Sequence, residues 1–106
     1  MELAFAEKSL RQVCTSRISA SRKLGEKTAE KLARRLADLR ACDSVGEIVV
    51  GKPQEIKSTP PGEFAIELGQ RSRLIFSANH NDVPTVSGKV DWSKVSRIKI
   101  LRLMLE

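Results

Sequence analysis

Between residues 63 and 78 the chain changes side with every residue. Phe64, Ile66 and Leu68 alternate with Glu63 and Glu67. After a break at Gly69-Gln70, extended as far as Arg71, the alternation resumes through Leu74 and Phe76 in the run Arg73 to Ala78. A side-chain period of two belongs to strands with one buried face. Two such runs joined by a short glycine-containing break predict a β-hairpin. This hairpin leaves one apolar face that must be covered, and the rest of the chain has to supply the cover.

The cover is written upstream in a different period. Ala29, Leu32, Ala33, Leu36, Ala37 and Leu39 recur at spacings of three and four. They predict a helix from around Ala20 or Glu26 to Ala41, with Gly25 as a break or cap in front of it. Lys27, Lys31, Arg34 and Arg35 fall on its other side, and Glu30 is placed to pair with Arg34. A first helix is predicted over Glu7 to Cys14, with Leu10, Val13 and Cys14 apolar. Thr15 to Ser19 reads as a polar loop or cap.

Glu2 to Ala6 reads as a short strand, with Leu3 and Phe5 on one side. Asp43 to Glu47 is a turn or a short capped helical turn, and Gly51-Lys52-Pro53 breaks the chain. Gln54 to Lys57 is compatible with a short strand, ended by Ser58-Thr59-Pro60-Pro61-Gly62. Asn79 to Gly88 is a polar loop. Asp91-Trp92-Ser93-Lys94 has the form of a cap and one helical turn. Ile98 to Leu105 is a last apolar strand, expected in the sheet centre. The order reads β-α-α-β-β-β without repeats. This is an α+β architecture in which two N-terminal helices pack on one face of a mainly antiparallel sheet.

Composition narrows the chemistry. At 106 residues and 41% hydrophobic, residues 1–106 suffice for one core and read as one domain. No run approaches the roughly 18 to 20 apolar residues of a membrane span, and the N-terminus lacks the pattern of a secretory signal. The cytoplasm is therefore the expected compartment. Cys14 and Cys42 are far apart and form no CxxC motif, so buried free thiols are expected. With His80 the only histidine, neither a zinc site nor a Ser-His-Asp triad can be assembled, so no metal and no cofactor is expected. The net charge is +6. Residues 7–40 hold ten Lys or Arg against four Asp or Glu, and the remaining residues hold nine of each. All of the excess lies in the helical region, which points to a polyanion as partner.

Four segments carry a resemblance. RKLGEKTAEKLARRLADLRAC, VGEIVVGKPQEIKS, GEFAIELGQRSRLIFSANH and VDWSKVSRIKIL follow one another along nearly the whole chain. In this order they resemble the RelE/ParE toxin superfamily, and more closely its HigB-like branch of plasmid-maintenance killer proteins. The sequence departs from the branch in two places. Lys57-Ser58-Thr59 stands where Lys-Gly-Asp is usual, and Leu103-Met104-Leu105-Glu106 stands where an Asp-Tyr-His tail is usual. The chain contains no tyrosine.

The resemblance implies a toxin of a toxin–antitoxin pair that cleaves messenger RNA on the ribosome, with a cognate antitoxin as protein partner. The alternative is a protein of the same fold that keeps only antitoxin or RNA binding. By matched position, Arg73 would stabilise the phosphate, Lys57 would clamp it, and His80 would be available for proton transfer. Lys52 and Arg71, with the helical stripe Lys27, Lys31, Arg34 and Arg35, would contact the RNA backbone. Trp92 is read as a core anchor rather than a base-stacking platform.

Overall fold

A computed structural model describes residues 1–58, 61–69 and 71–105. The elements run β1 (Glu2–Phe5), α1 (Lys8–Thr15), α2 (Arg17–Leu24), α3 (Glu26–Ala41), β2 (Gln54–Ile56), β3 (Glu63–Glu67), β4 (Arg73–Ala78), β5 (Thr85–Val86), β6 (Lys89–Val90) and β7 (Arg97–Met104). Two 3-10 turns, Val45–Glu47 and Trp92–Lys94, complete the described chain. Five strands form one sheet in the order β1-β7-β4-β3-β2, and β5 and β6 form a separate two-stranded ribbon. All pairs in the sheet are antiparallel except β1 with β7.

The architecture is α+β as expected, but the helix count differs. Residues 17–24 form a helix of their own where the polar run 15–19 reads as a loop. Ser16 caps it by accepting a hydrogen bond from the Ser19 N–H at 3.3 Å. Gly25, at φ +84°, turns the chain between α2 and α3 in a conformation that suits glycine. The polar loop expected over residues 79–88 contains β5. The short strand at Gln54–Ile56 is real and forms the sheet's outer edge. Of the turns expected at 69–71 and 58–62, Gln70, Thr59 and Pro60 lie outside the described residues.

One hydrophobic cluster joins the layers. Ala29, Leu32, Leu36 and Leu39 of α3 are buried with Phe64, Ile66, Leu74, Phe76, Ile98 and Ile100 of the sheet. Each such large side chain contributes about 1.5–3 kcal/mol by leaving water. Ala33 and Ala37, expected in the buried stripe, are exposed. Trp92 is an anchor: its ring lies 4.8 Å from that of Phe64 and 6.4 Å from that of Phe76, and its Nε1–H donates to Glu55 at 3.1 Å. Cys14 and Cys42 are free and half-buried. Burial pushes the Cys14 thiol up to about 11, which makes it a poor nucleophile at neutral pH.

Candidate functional site: the open sheet face and the hairpin tip

The helices cover only one face of the sheet. Because side chains alternate, the partners of the buried positions stand on the other face. These are Glu63, Ala65 and Glu67 on β3, Arg73, Ile75 and Ser77 on β4, and Lys99, Arg102 and Met104 on β7. A bulge sits between the pairs Ile75–Arg102 and Phe76–Ile100, leaving Leu101 as the extra residue of β7. Without it Arg102 would continue the parity of Ile98 and Ile100 and point into the core. With it, Arg102 emerges on the open face.

Arg102 and Glu63 form a two-pronged ion pair. Nη2 lies 2.7 Å from Oε1 and Nη1 lies 3.2 Å from Oε2. The guanidinium hydrogen bonds hold the Glu63 carboxyl below its ordinary value and raise Arg102 in turn. Glu63 pairs with Ser77 and Arg102 with Ile75, so the bridge runs diagonally over β4. Ile75, on this same open face, has no exposed surface.

At the hairpin end of the face the charges are arranged differently. Arg73 stands directly across β3–β4 from Glu67, with Met104 on its other side. No carboxylate among the described residues forms an ion pair with Arg73. Lys52 Nζ approaches Glu67 Oε2 at 4.0 Å. The loop that carries Lys52 is pinned to β3, because Gly51 O accepts from Glu67 N–H at 2.6 Å. Gly51 and Lys52 both take positive φ, +78° and +48°, the second at a cost for a residue with a Cβ. Arg71, at φ +69°, is exposed in the hairpin turn, and Lys31 of α3 lies beside Gly69 in the same turn. Lys31, Lys52, Arg71 and Arg73 thus gather at one end of the sheet with Glu67 among them.

The remaining expected site residues divide. Lys27, Lys31 and Arg34 line a shallow cleft on α3 together with Glu30, which sits 3.7 Å from Arg34. Arg35 is no part of a solvated stripe. Its side chain is 14% exposed and pairs with Asp38 at 3.1 Å, and the Gly51 loop packs against its Nε, which has no hydrogen-bond partner among the described residues. Arg35 is a structural cation that joins α3 to the loop.

Lys57 and Arg73 do not meet. Lys57 follows Ile56, which pairs with Glu63, whereas Arg73 pairs with Glu67 two strands away. The register puts their Cα atoms about 15–20 Å apart. His80 lies beyond Ala78, at the opposite end of β4 from Arg73. Its Nε2 accepts from the backbone N–H groups of Ser96 at 3.1 Å and Arg97 at 3.3 Å. Heavy-atom positions assign this nitrogen as the unprotonated one. The imidazole is a bracket between the chain after β4 and the start of β7, and its basic nitrogen is occupied.

The sequence reading passed over three open-face residues, Glu63, Glu67 and Arg102. The alternation of β3 already put Glu63 and Glu67 on the side of Arg73, so they were within reach. Arg102 was not, because only the bulge decides its face. Among the described residues no group of three or more His, Cys, Asp or Glu side chains is placed to hold a metal ion. No helix among them is long and apolar enough to cross a membrane.

No protein-family model matches the chain, and no curated protein does. Solved structures match over its whole length. A YoeB/ParE toxin from Agrobacterium tumefaciens superposes with TM-score 0.60 at 12% identity, covering 100% of this chain and 99% of that one. The chain has the YoeB/ParE toxin fold. The YoeB dimer from Staphylococcus aureus gives TM-score 0.61 at 14% identity, covering 100% of this chain and 97% of that one, and YoeB in the S. aureus YoeB–YefM complex gives the same values. At these identities the YoeB likeness is one of fold. The HigB-like likeness remains one of sequence motifs.

Proposed function

We propose that this chain is the toxin of a toxin–antitoxin pair, of the HigB-like kind suggested by its motifs, acting in the cytoplasm on messenger RNA at the ribosome. The observation that carries the reading is Arg73, which has no ion-pair partner among the described residues and stands on the sheet face opposite the helices, at the end of the sheet where Lys31, Lys52 and Arg71 also lie, in a chain that shares its whole fold with YoeB/ParE toxins. The complex of a S. aureus YoeB with YefM supports an antitoxin as this chain's protein partner.

RNA cleavage needs little more than such a face can supply. The 2′-hydroxyl oxygen bonds to the adjacent phosphorus, the bond to the 5′-oxygen breaks, and a 2′,3′-cyclic phosphate remains. The guanidinium of Arg73 presents a planar fork to two phosphate oxygens and offsets the charge that builds up on them. Lys52 and Lys31 add positive potential around it, and the α3 cations Lys27 and Arg34 hold the flanking backbone. Glu67, across from Arg73, accepts the proton of the 2′-hydroxyl. Solvent returns a proton to the leaving 5′-oxygen.

The test is induced expression of the chain beside Arg73→Ala and Glu67→Gln variants matched for soluble protein. Growth arrest by the parent, with relief by Arg73→Ala and transcript ends mapped to cleavage, is the expected result. Loss of the guanidinium should slow cleavage by about 100-fold or more. Arrest without new transcript ends would move the target away from RNA. No arrest by well-folded parent overturns the active-toxin reading.

A second reading rests on His80. The only imidazole is tied to backbone far from Arg73, which favours a protein that binds RNA or antitoxin without cleaving. In that case the parent protects RNA from added nuclease and generates no ends of its own.

A further inference from the structure

On the sheet face opposite the helices, β4 contributes Arg73 and β7 contributes Arg97, Lys99 and Arg102. Two of these cations are neutralised in place. Arg97 Nε lies 3.1 Å from Glu2 Oε2 across the β1–β7 pair, and Arg102 holds Glu63. Arg73 and Lys99 form no ion pair among the described residues. Lys99 is half-buried in the middle of the sheet. Its cross-strand neighbours are small, Ser77 on β4 and Ala4 on β1. The lysine therefore stands between two arginine–glutamate bridges with a hydroxyl beside it and no carboxylate of its own.

We propose that Lys99, with the Ser77 hydroxyl, is a second phosphate subsite, filled by the same RNA strand whose phosphate lies at Arg73. Arg73 and Ser77 are four residues apart on β4, and Lys99 pairs with Ser77, so the Cα atoms of Arg73 and Lys99 lie about 14 Å apart. That is too far for both to hold one phosphate, and a single strand covers it in a few nucleotides. The path extends the cations of the hairpin end: from Lys31 past Arg73, then over the Arg102–Glu63 bridge to Lys99. The chemistry selects a polyanion over an acidic peptide. β4 and β7 are interior strands with a neighbour on each side, so no backbone edge is open for a peptide to join. Ala4 and Ser77 give a peptide no apolar anchor, and Ile75 has no exposed surface. The nearby carboxylates Glu2 and Glu63 are each engaged by an arginine, which leaves the β7 row of three cations with one net positive charge. A contact at Lys99 goes to the RNA backbone, so it adds dependence on length and salt without base preference. The subsite rests on the RNA reading above and narrows its substrate to a single strand lying along the β4–β7 seam.

The test is binding of uncleavable 2′-O-methyl oligouridylates, from the dinucleotide to the octanucleotide, to the full chain and to variants whose folding is checked by thermal melts. The parent's affinity should step up once the strand reaches from Arg73 to Lys99. Lys99→Ala should bind the dinucleotide as the parent does and lose the step, binding the octanucleotide about fivefold more weakly. Its salt slope for the octanucleotide should fall by about 0.7. Lys99→Arg should keep the step, and Lys89→Ala, an exposed cation on the β5–β6 ribbon, should behave as the parent. If alanine lowers the melting temperature, Lys99→Gln, which keeps the length of the stem, replaces it in the same comparison. Parent-like binding by Lys99→Ala at every length, beside weakened binding by Arg73→Ala, would overturn the subsite and leave the RNA reading standing. An equal loss on the dinucleotide would also overturn it, as would Lys99-dependent binding of polyglutamate tighter than that of the octanucleotide. If the parent binds no strand of any length, the subsite falls together with the RNA reading.

Discussion

Arg102 grips Glu63 across the full width of β4, with nitrogen–oxygen distances of 2.7 and 3.2 Å. The Glu63 side chain is only 19% exposed, so the pair is better shielded than a typical surface bridge and should contribute about 1 kcal/mol. Its dependence on pH follows from the direction of the Glu63 shift. The hydrogen bonds from Arg102 hold the folded carboxyl below the ordinary 4.5. The contribution is present in full above that unfolded value and is lost as pH falls through the folded one. Urea unfolding should show the parent and Glu63→Gln differing by about 1 kcal/mol at neutral pH and converging in acid as the Glu63 carboxyl is protonated. A difference that persists unchanged in acid would assign the effect to packing over Ile75 instead.

Two glycines of opposite character offer a second check. A Cβ added at Gly46 would lie 2.8 Å from the Ser93 Cα, a backbone atom that cannot swing aside. This is where the two 3-10 turns touch, with Val45 N–H donating to Val95 O at 2.9 Å. Gly46→Ala should cost about 1–3 kcal/mol by forcing the turns apart. At Gly88 an added Cβ meets nothing within 4 Å, but φ is +78°. Gly88→Ala should therefore cost only the left-handed penalty of about 1–2 kcal/mol. Thermal melts of the two variants separate steric contact from backbone strain: a Gly46→Ala melt equal to the parent would mean that the turns part easily.

His80 makes a prediction that distinguishes a bracket from a catalyst. Replacing it with alanine leaves the Ser96 and Arg97 N–H groups without their shared acceptor, at a cost of about 1–2 kcal/mol if water does not take its place. Hydrogen exchange at those two amides should accelerate, while growth arrest by soluble protein stays at the parent level. Loss of arrest with unchanged exchange would return His80 to the reacting centre.

The elements most legible in the sequence were those whose period and burial agree. The hairpin 63–78 and α3 each carry an uninterrupted stripe, so their apolar faces could be read directly, Ala33 and Ala37 apart. Asp91 announced its turn by capping: it accepts from Ser93 N–H at 3.2 Å, as the residue types imply. What stayed hidden depends on contacts between distant segments. Ser16 reads equally well as loop or cap until α2 packs on α3. The bulge at Leu101 leaves no mark in an apolar run, yet it decides the face of Arg102. Arg35 looks like its neighbour Arg34 in one dimension and differs only because Asp38 and the Gly51 loop enclose it. Lys57 and Arg73 could be matched to motifs one by one, but the distance between them belongs to the strand register.

The last prediction uses that contrast along α3. Arg34 is a solvated cation with a 63% exposed side chain and a long 3.7 Å approach to Glu30. Lys27 is exposed as well. Alanine at either position should change stability by less than about 0.5 kcal/mol. If these cations contact RNA phosphates, each replacement should weaken binding of a single-stranded RNA similarly for all sequences and lower the salt slope by about 0.7. Arg35→Ala should do the reverse. It removes the partner of Asp38 and the packing against Gly51, so the loss appears chiefly in the unfolding midpoint. RNA binding measured on folded protein should then fall little. A salt slope that responds to Arg35 and not to Lys27 or Arg34 would mean that RNA reaches α3 from the side of the Gly51 loop, with the Arg35–Asp38 pair opening to receive it.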